Sequence, residues 1–216
     1  MPIKNYRHII FFFALGVITL ISYLWFVKSE FFPAFLAWAQ SNSILYYIIL
    51  VISKITGIVW PPLPGGVFTL GSIPVLGWLV AYSADLIGSM IGSTIAYFIA
   101  RKYGMSFIRK IFDDEVIEKF QKIKIRPERE IESIFIFRVF GGNIVELFCY
   151  GAGFLRVNYF NYILASFLAH VVIGIPTFYL IRNILSGKGI FVSILFAVIL
   201  AILFFTLKHR YFEIEK

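Results

Sequence analysis

The stretch Trp60-Pro61-Pro62-Leu63-Pro64-Gly65-Gly66 interrupts an apolar segment that runs from Ser43 to Val75. It cannot continue a helix, because proline lacks an N–H donor and glycine leaves helical angles readily. If the segment lies in a membrane, such a break is tolerated only where it is buried in protein or lines a wet cavity. The stretch therefore predicts a re-entrant hairpin. An ordinary kinked span and a loop outside the bilayer are the alternatives.

Composition places the chain in a membrane. Of its 216 residues, 60% are apolar and 15% are charged, and the mean hydropathy is +0.86. A soluble domain of this length needs a more highly charged surface, so the apolar excess has to face lipid. Several stretches reach the length of about 20 residues that crosses a bilayer. They are Ile9–Val27, Gly77–Ala100, Tyr159–Ile181 and Gly189–Leu207.

A second apolar stretch, Ile131 to Val157, is interrupted by Gly141-Gly142-Asn143 and again by Gly151-Ala152-Gly153. By the same argument it predicts a second re-entrant hairpin, and each hairpin is followed by a full span. The positive-inside rule puts both termini and the basic segment 101–130 in the cytoplasm, so the hairpins enter from opposite sides. The predicted fold is an all-α integral membrane protein with about four transmembrane helices and two re-entrant hairpins in an inverted repeat.

The predicted domain organisation follows from these spans. Residues 1–42 form an anchor span and an interfacial helix, residues 43–181 form the core with both hairpins, and residues 182–216 form a last span with a basic tail. The first span is interpreted as a retained anchor, because it has full span length and no cleavage site follows it. Helices lying on the membrane surface are predicted at Glu30–Gln40 and Asp113–Lys124.

The span Gly77–Ala100 carries the first candidate site residue. Small residues recur every four positions and predict close helix packing; they are Ala84, Gly88, Gly92 and Ala96. Asp85 lies beside this face, where an ionised side chain costs about 2.5–3.5 kcal/mol on insertion scales. It is either a site for a cation or proton, a structural partner of an arginine, or less deeply placed than the span suggests.

The second hairpin carries Arg138 and Glu146 on either side of its glycine turn. The planar guanidinium of Arg138 suits a phosphate, and Glu146 could balance that charge or exchange a proton. Asn143, in the same turn, is a further substrate-binding candidate. Backbone donors at broken helix ends also favour an anion, without a special side chain. The alternative is that Arg138 pairs with Glu146 or Asp85 to hold the hairpin in place. His170 is interpreted as a packing histidine.

Other patterns exclude several functional classes. The sequence has no P-loop, no GxSxG elbow and no HExxH motif. Cys149 belongs to no Cys/His cluster with metal-ligand spacing and is interpreted as a small buried hydrophobic residue. We therefore predict no enzymatic activity, no cofactor and no metal. The net charge of +8 flanks apolar stretches, where membrane orientation and anionic lipid explain it better than nucleic acid does.

Three pieces of sequence between Ile55 and Tyr179 share the pattern of one family. They are the proline-rich hairpin at 61–66, the span with Gly88, Gly92, Tyr97, Arg101 and Gly104, and Phe135 and Arg138 followed by Gly151-Ala152-Gly153 and Phe160. In these pieces the chain resembles the DedA family of SNARE-associated, VTT-domain membrane proteins. The resemblance implies two opposed re-entrant hairpins and lipid translocation. Bacterial members are associated with undecaprenyl phosphate or phosphatidylethanolamine and some with the proton-motive force, and eukaryotic relatives are scramblases.

This sequence departs from the family pattern at two places. Family members often carry carboxylates around the first hairpin, where this chain has Trp60 and Gly66, and a second arginine where it has Ile144. Proton coupling would then need Asp85 or Glu146, and among the family's functional residues only Arg138 and the glycines carry over.

The predicted function is translocation of a phosphate-bearing lipid, either a polyprenyl phosphate or a phospholipid, in the plasma (inner) membrane of a bacterium. Membrane lipids are the expected partners, with protons and a second copy of the chain as further ones. The alternatives are a proton- or ion-coupled carrier of a small soluble solute and a non-transporting scaffold for envelope assembly.

Overall fold

The computed structural model describes residues 18, 21–22, 25–60, 65–104, 129–140 and 145–186, without the side chains of 140 and 145–147. These parts of the chain are helical and contain no strand, which confirms the all-α class. The helices are α1 (Phe31–Ser41), α2 (Ser43–Val59), α3 (Gly65–Gly71), α4 (Ile73–Leu76), α5 (Trp78–Tyr103), α6 (Glu130–Phe140), α7 (Val145–Phe154) and α8 (Tyr159–Leu185).

Helices α5 and α8 are the two that are long and apolar enough to cross a membrane among the described residues. With 26 and 27 residues they confirm two of the predicted spans and run slightly past the predicted ends. The side chain of Asn158 caps α8 by accepting hydrogen bonds from the backbone N–H groups of Phe160 and Asn161. The predicted spans Ile9–Val27, apart from a few residues, and Gly189–Leu207 lie outside the described residues.

The first predicted hairpin folds back as expected. Helix α3 returns along α2 so closely that a Cβ on Gly65 would lie 2.6 Å from the carbonyl oxygen of Ser53, so only glycine fits there. Pro74 does not itself break this limb, because it lies in the first turn of α4. A missing N–H costs nothing in a first turn. The helices break instead at Ser72 and at Gly77, which has a φ of +79°.

Helix α1 meets α2 at a bend of 102°. In α1 the ring of Phe35 contacts those of Phe32 and Trp38, and Phe35 and Trp38 also contact Tyr46 of α2. A helix at Glu30–Gln40 is therefore confirmed within one residue, and its place on the membrane surface stays a prediction. The other predicted surface helix, Asp113–Lys124, lies outside the described residues.

The second predicted hairpin has limbs of 11 residues in α6 and 10 residues in α7. Each limb is about 15–17 Å long, roughly half of the hydrocarbon thickness. Helix α6 ends at Phe140 and α7 begins at Val145, on either side of the predicted glycine turn. The second predicted break is wrong, because α7 continues through Gly151-Ala152-Gly153 to Phe154. These glycines permit close packing instead, since a Cβ on Gly153 would overlap the carbonyl oxygen of Tyr97.

Helix α5 is the centre of the packing, with α2, α7 and α8 against it. A Cβ on Gly88 would lie 2.6 Å from Cβ of Lys54, and one on Gly92 would lie 3.0 Å from Cβ of Ile58. These contacts confirm that the small-residue face is a packing face. They also show that α2 runs in the same direction as α5.

The two hairpins are opposed. Helix α2 runs along α5 from the Trp78 end, where Tyr47 contacts Ser83. Helix α6 begins at the opposite end, where Glu130 contacts the start of α8 beside Phe98, and reaches Ser93 with Arg138. Near their tips they touch, because the hydroxyl of Tyr150 in α7 donates a hydrogen bond of 2.6 Å to the carbonyl oxygen of Val59. Since both hairpins pack on α5, their polar side chains are brought to one helix.

Candidate functional site

The first polar cluster surrounds Asp85 in α5 and is called the Asp85 cluster; its members are Lys54, Thr69, Asp85 and His170. Oδ1 of Asp85 lies 2.7 Å from Nζ of Lys54 and accepts a hydrogen bond of 2.6 Å from Oγ1 of Thr69. Oδ2 lies 2.9 Å from Nε2 of His170. Both limbs of the first hairpin and the span α8 therefore converge on one carboxylate.

Glycines make room for this cluster. Lys54 passes over Gly88, where any side chain would collide with its Cβ and Cγ, and Nζ lies beside Gly66. On the other side, the ring of Tyr82 stacks on the imidazole of His170 with 6.0 Å between centroids. Gly174 lets the ring of Tyr82 approach α8, because a Cβ there would lie 2.6 Å from its Cε2.

The charges of the cluster are buried to different degrees. Asp85 is 4% exposed, whereas the side chains of Lys54 and His170 are 17% and 18% exposed. A buried carboxylate in a membrane needs such compensation. Among the described residues Asp85 is the one acceptor on Lys54, and an ammonium has three donors. The partly exposed lysine can therefore donate to a ligand or to water.

Two interpretations from the sequence are corrected here. Asp85 is paired with a lysine and a histidine, so the predictions of an arginine partner, Arg138 in particular, are wrong. His170 is more than a packing residue, because it contacts the carboxylate. Lys54 was missed altogether, although the same signal that marked Asp85, an ionisable residue within an apolar stretch, also marks Lys54.

Removing one hydrogen bond of the Asp85 cluster tests how much the cluster stabilises the fold. We expect Thr69→Val, which keeps the shape but cannot donate to Asp85, to cost about 1.5–3 kcal/mol of unfolding free energy, the usual range for a bond to a charged group. Chemical or thermal unfolding of the purified protein measures it. Thr56→Val is the matched control, because the hydroxyl of Thr56 bonds only to the carbonyl of Ile52 among the described residues. Equal effects of the two substitutions would contradict the expectation.

The second polar cluster surrounds Arg138 in α6 and is called the Arg138 cluster; its members are Ser93, Arg138, Cys149 and Tyr162. Nη2 of Arg138 donates to Oγ of Ser93 and to Sγ of Cys149, both at 2.9 Å. Its Cζ lies 5.7 Å from the ring centroid of Tyr162 in α8. Arg138 is 7% exposed. Cys149 is buried as predicted, and it also accepts this hydrogen bond.

The other predicted site residues fall into two groups. Gly104 ends α5 with a φ of +61°, and Arg101 donates to the hydroxyl of Tyr97, which itself donates to the carbonyl of Val157. The rest lie outside the described residues or have undescribed side chains, so the Arg138–Glu146 pair stays a prediction. These are Pro61, Pro62, Pro64, Gly141, Gly142, Asn143 and Glu146.

A cleft of about 490 Å³ lies between the start of α6 and the first turns of α8. Its lining is charged at one end and apolar at the other and comprises Arg129, Glu130, Ile131, Glu132, Phe135, Asn161 and Leu168. Nδ2 of Asn161 donates a hydrogen bond of 2.8 Å to Oε2 of Glu130 across it. Within the described ranges no group of His, Cys, Asp and Glu side chains could hold a metal ion.

A family model described as the VTT domain matches residues 63–183, which is more than half of the chain. The chain belongs to the VTT-domain family. The resemblance seen in the sequence is thereby confirmed, and the match covers the return limb of the first hairpin, α5, the whole second hairpin and α8 of this VTT-domain protein.

One curated relative is an uncharacterized protein of Methanocaldococcus jannaschii. It is 25% identical to this VTT-domain protein over 115 residues, which cover 53% of this chain and 70% of the relative. No solved structure matches the chain. The comparisons therefore support an integral membrane protein of this family and leave the substrate to the geometry.

Proposed function

We propose that this VTT-domain protein moves a phosphate-bearing lipid, a polyprenyl phosphate or a phospholipid, across the membrane. The observation that carries the proposal is the cleft between α6 and α8, with Arg129, Glu130 and Glu132 at one end and Phe135 and Leu168 along its wall. A lipid needs both surfaces together, because its headgroup must stay solvated or paired while its chains stay in an apolar environment.

Arg138 lies on the same helix as the cleft and further towards the hairpin tip. Its guanidinium is suited to phosphate, since its donors form a planar fork. The bonds from Nη2 to Ser93 and Cys149 fix the direction of that fork. A fixed cation costs less ordering entropy on binding than a mobile one, which supports Arg138 as the contact for the headgroup.

Lys54 supplies a second cation from the opposite hairpin. Asp85 and Ser93, which hold Lys54 and Arg138, are separated by two helical turns of α5, or about 12 Å. Cations at two levels would divide a crossing of about 30 Å into shorter steps. This arrangement supports translocation more directly than it supports a scaffold that acts through its surface.

A second candidate function is a proton- or ion-coupled carrier of a small soluble solute. It is favoured by the contact of His170 with Asp85, because chains of histidine and carboxylate side chains within spans serve as proton relays in transporters. A carrier of this kind should depend on Asp85 and should leave lipids in place.

The test is transbilayer movement of fluorescent phosphatidylethanolamine and of a polyprenyl phosphate in liposomes that contain the purified protein. We expect Arg138→Ala to slow lipid movement by about 10- to 100-fold, which corresponds to losing a hydrogen bond to a charged group. Arg138→Lys keeps the charge without the planar fork, so its rate of lipid movement should lie between those of the parent chain and of Arg138→Ala. Lys102→Ala is the control, since Lys102 is exposed in the last turn of α5 and its loss changes the net charge equally.

Three outcomes of this experiment decide between the proposals. Loss in Arg138→Ala with normal rates in Lys102→Ala supports the lipid translocase and shows which headgroup is preferred. Equal rates in all variants contradict the role of Arg138. No movement of either lipid by folded protein, with or without a proton gradient, overturns lipid translocation and favours a soluble solute.

A further inference from the structure

Polar residues recur every four positions on both of the spans that pack together. On α5 they are Asp85, Ser89 and Ser93, and on α8 they are Tyr162, Ser166 and His170. The spacing of about 6 Å between neighbours is the same on both helices, and it keeps the three residues near one face. Two matched rows of polar side chains therefore run along one helix contact.

The ends of the two rows are in register. Asp85 lies 2.9 Å from His170 at one end, and at the other the hydroxyl of Tyr162 donates to the carbonyl oxygen of Ser93 at 3.4 Å. Because the helices run in opposite directions with equal spacing, the central residues Ser89 and Ser166 lie at the same level between these two contacts.

Both central serines are buried, Ser89 at 3% exposure and Ser166 at 0%. Oγ of Ser166 has no hydrogen-bond partner among the described residues. Buried hydroxyls nearly always have a partner, and lipid offers none. Ser89 lies at the level of Ser166 on α5, and a water held between the two helices would supply the missing partner.

We propose that the hydroxyls of Ser89 and Ser166, bridged by a bound water, join the Asp85 cluster and the Arg138 cluster into a single hydrogen-bonded chain. The chain links the cations of the two hairpins, so that a change of charge at His170 alters the bonding of Ser93 to Arg138. This goes beyond the proposed function, because the link holds whatever the protein transports.

The chemistry of the residues suits such a link. A hydroxyl both donates and accepts, so each serine can reverse its direction when a neighbour changes. Groups from every packed helix face the chain. At the Asp85 end they are Lys54, Thr69 and Tyr82, and at the other end they are Arg138 and Cys149. Replacing His170 would thus alter the hydrogen bonding across the width of the bundle.

Close packing is the competing explanation, because serine is one of the small residues that let membrane helices approach. The two explanations predict different results for Ser166→Ala, since alanine packs equally well and lacks the hydroxyl. If packing alone matters, stability is unchanged. If the hydroxyl is an orphan, its removal is stabilising. If it completes the chain, its removal is destabilising.

The first measurement is thermal unfolding of the purified full chain in nanodiscs. We expect Ser166→Ala to lower Tm by about 2–4 °C, as loss of one hydrogen bond does in a chain of this size. Ser53→Ala is the control, because Ser53 lies on α2 away from the α5–α8 contact. An unchanged or higher Tm in Ser166→Ala overturns the proposal.

The second measurement tests the link between the clusters. We expect His170→Gln and Arg138→Lys to be non-additive, with a coupling of about 2- to 10-fold in the unfolding equilibrium, as for residues of one network. In a Ser166→Ala background the two effects should add. Additivity in both backgrounds, or coupling that survives Ser166→Ala, overturns the link. Neither readout requires transport, so failure here is distinct from failure of the lipid proposal.

Discussion

The Asp85→Ala protein is expected to unfold far more readily than the parent chain, with a loss of about 3 kcal/mol. The substitution leaves Lys54 and His170 without the carboxylate that both contact. Removing one partner of a buried ion pair lowers the free energy of unfolding by roughly 3–5 kcal/mol. The partial exposure of Lys54 and His170 places the expected loss at the lower end of this range. Thermal unfolding in micelles or nanodiscs measures the loss.

A double substitution serves as the control for this prediction. Lys54→Met with Asp85→Leu removes both charges, and replacing a buried ion pair by apolar residues of similar size is often neutral or stabilising. We expect the double variant to recover most of the stability and none of the transport. If Asp85→Ala unfolds like the parent chain, the pair does not stabilise the fold.

The second large effect is expected from a single methyl group at Gly153. A Cβ there would overlap the carbonyl oxygen of Tyr97, which is backbone and cannot turn aside. Helix α7 must then move away from α5, which separates Cys149 from Ser93 and Arg138. We expect Gly153→Ala to cost about 1–3 kcal/mol through overpacking and to expose the Cys149 thiol, which is fully buried in the parent chain, to a maleimide reagent.

Gly66→Ala is the matched control for Gly153→Ala. A Cβ at Gly66 would lie 3.5 Å from Nζ of Lys54, an ordinary contact with the end of a flexible side chain. We expect its stability and the protection of Cys149 to match the parent chain. Equal labelling of Cys149 in the parent and in Gly153→Ala would show that α7 tolerates the methyl group.

The hairpins were predictable because proline and glycine change what the backbone can do locally. The prolines at 61, 62 and 64 cannot continue a helix whatever surrounds them, and α2 indeed ends at Val59, whereas Gly65 and Gly66 begin α3. Glycine alone is less decisive, since it both breaks helices and lets helices touch. At Gly151-Ala152-Gly153 the glycines serve close packing, because the backbone of Tyr97 lies against Gly153. Tyr97 is more than 50 positions away in the sequence, so the local pattern does not reveal this contact.

The site was less predictable than the fold. Asp85 and Arg138 stood out because each is an ion in an apolar segment, yet the sequence could not say which charges would meet. Lys54 and His170 reach Asp85 only after α2, α5 and α8 have packed. The four-residue spacing of small residues from Ala84 to Ala96 predicted packing on α5. The matching row of polar residues on α8 becomes visible only once the antiparallel register is known.

The pairing of Lys54 has a consequence for how the chain is made. Lys54 leaves the ribosome on α2 well before Asp85 follows on α5, and His170 follows only on α8. A lysine in the hydrocarbon region without its counter-ion is costly. We therefore expect the nascent first hairpin to stay at the insertion machinery, out of lipid, until α5 has been synthesised and can be released with it.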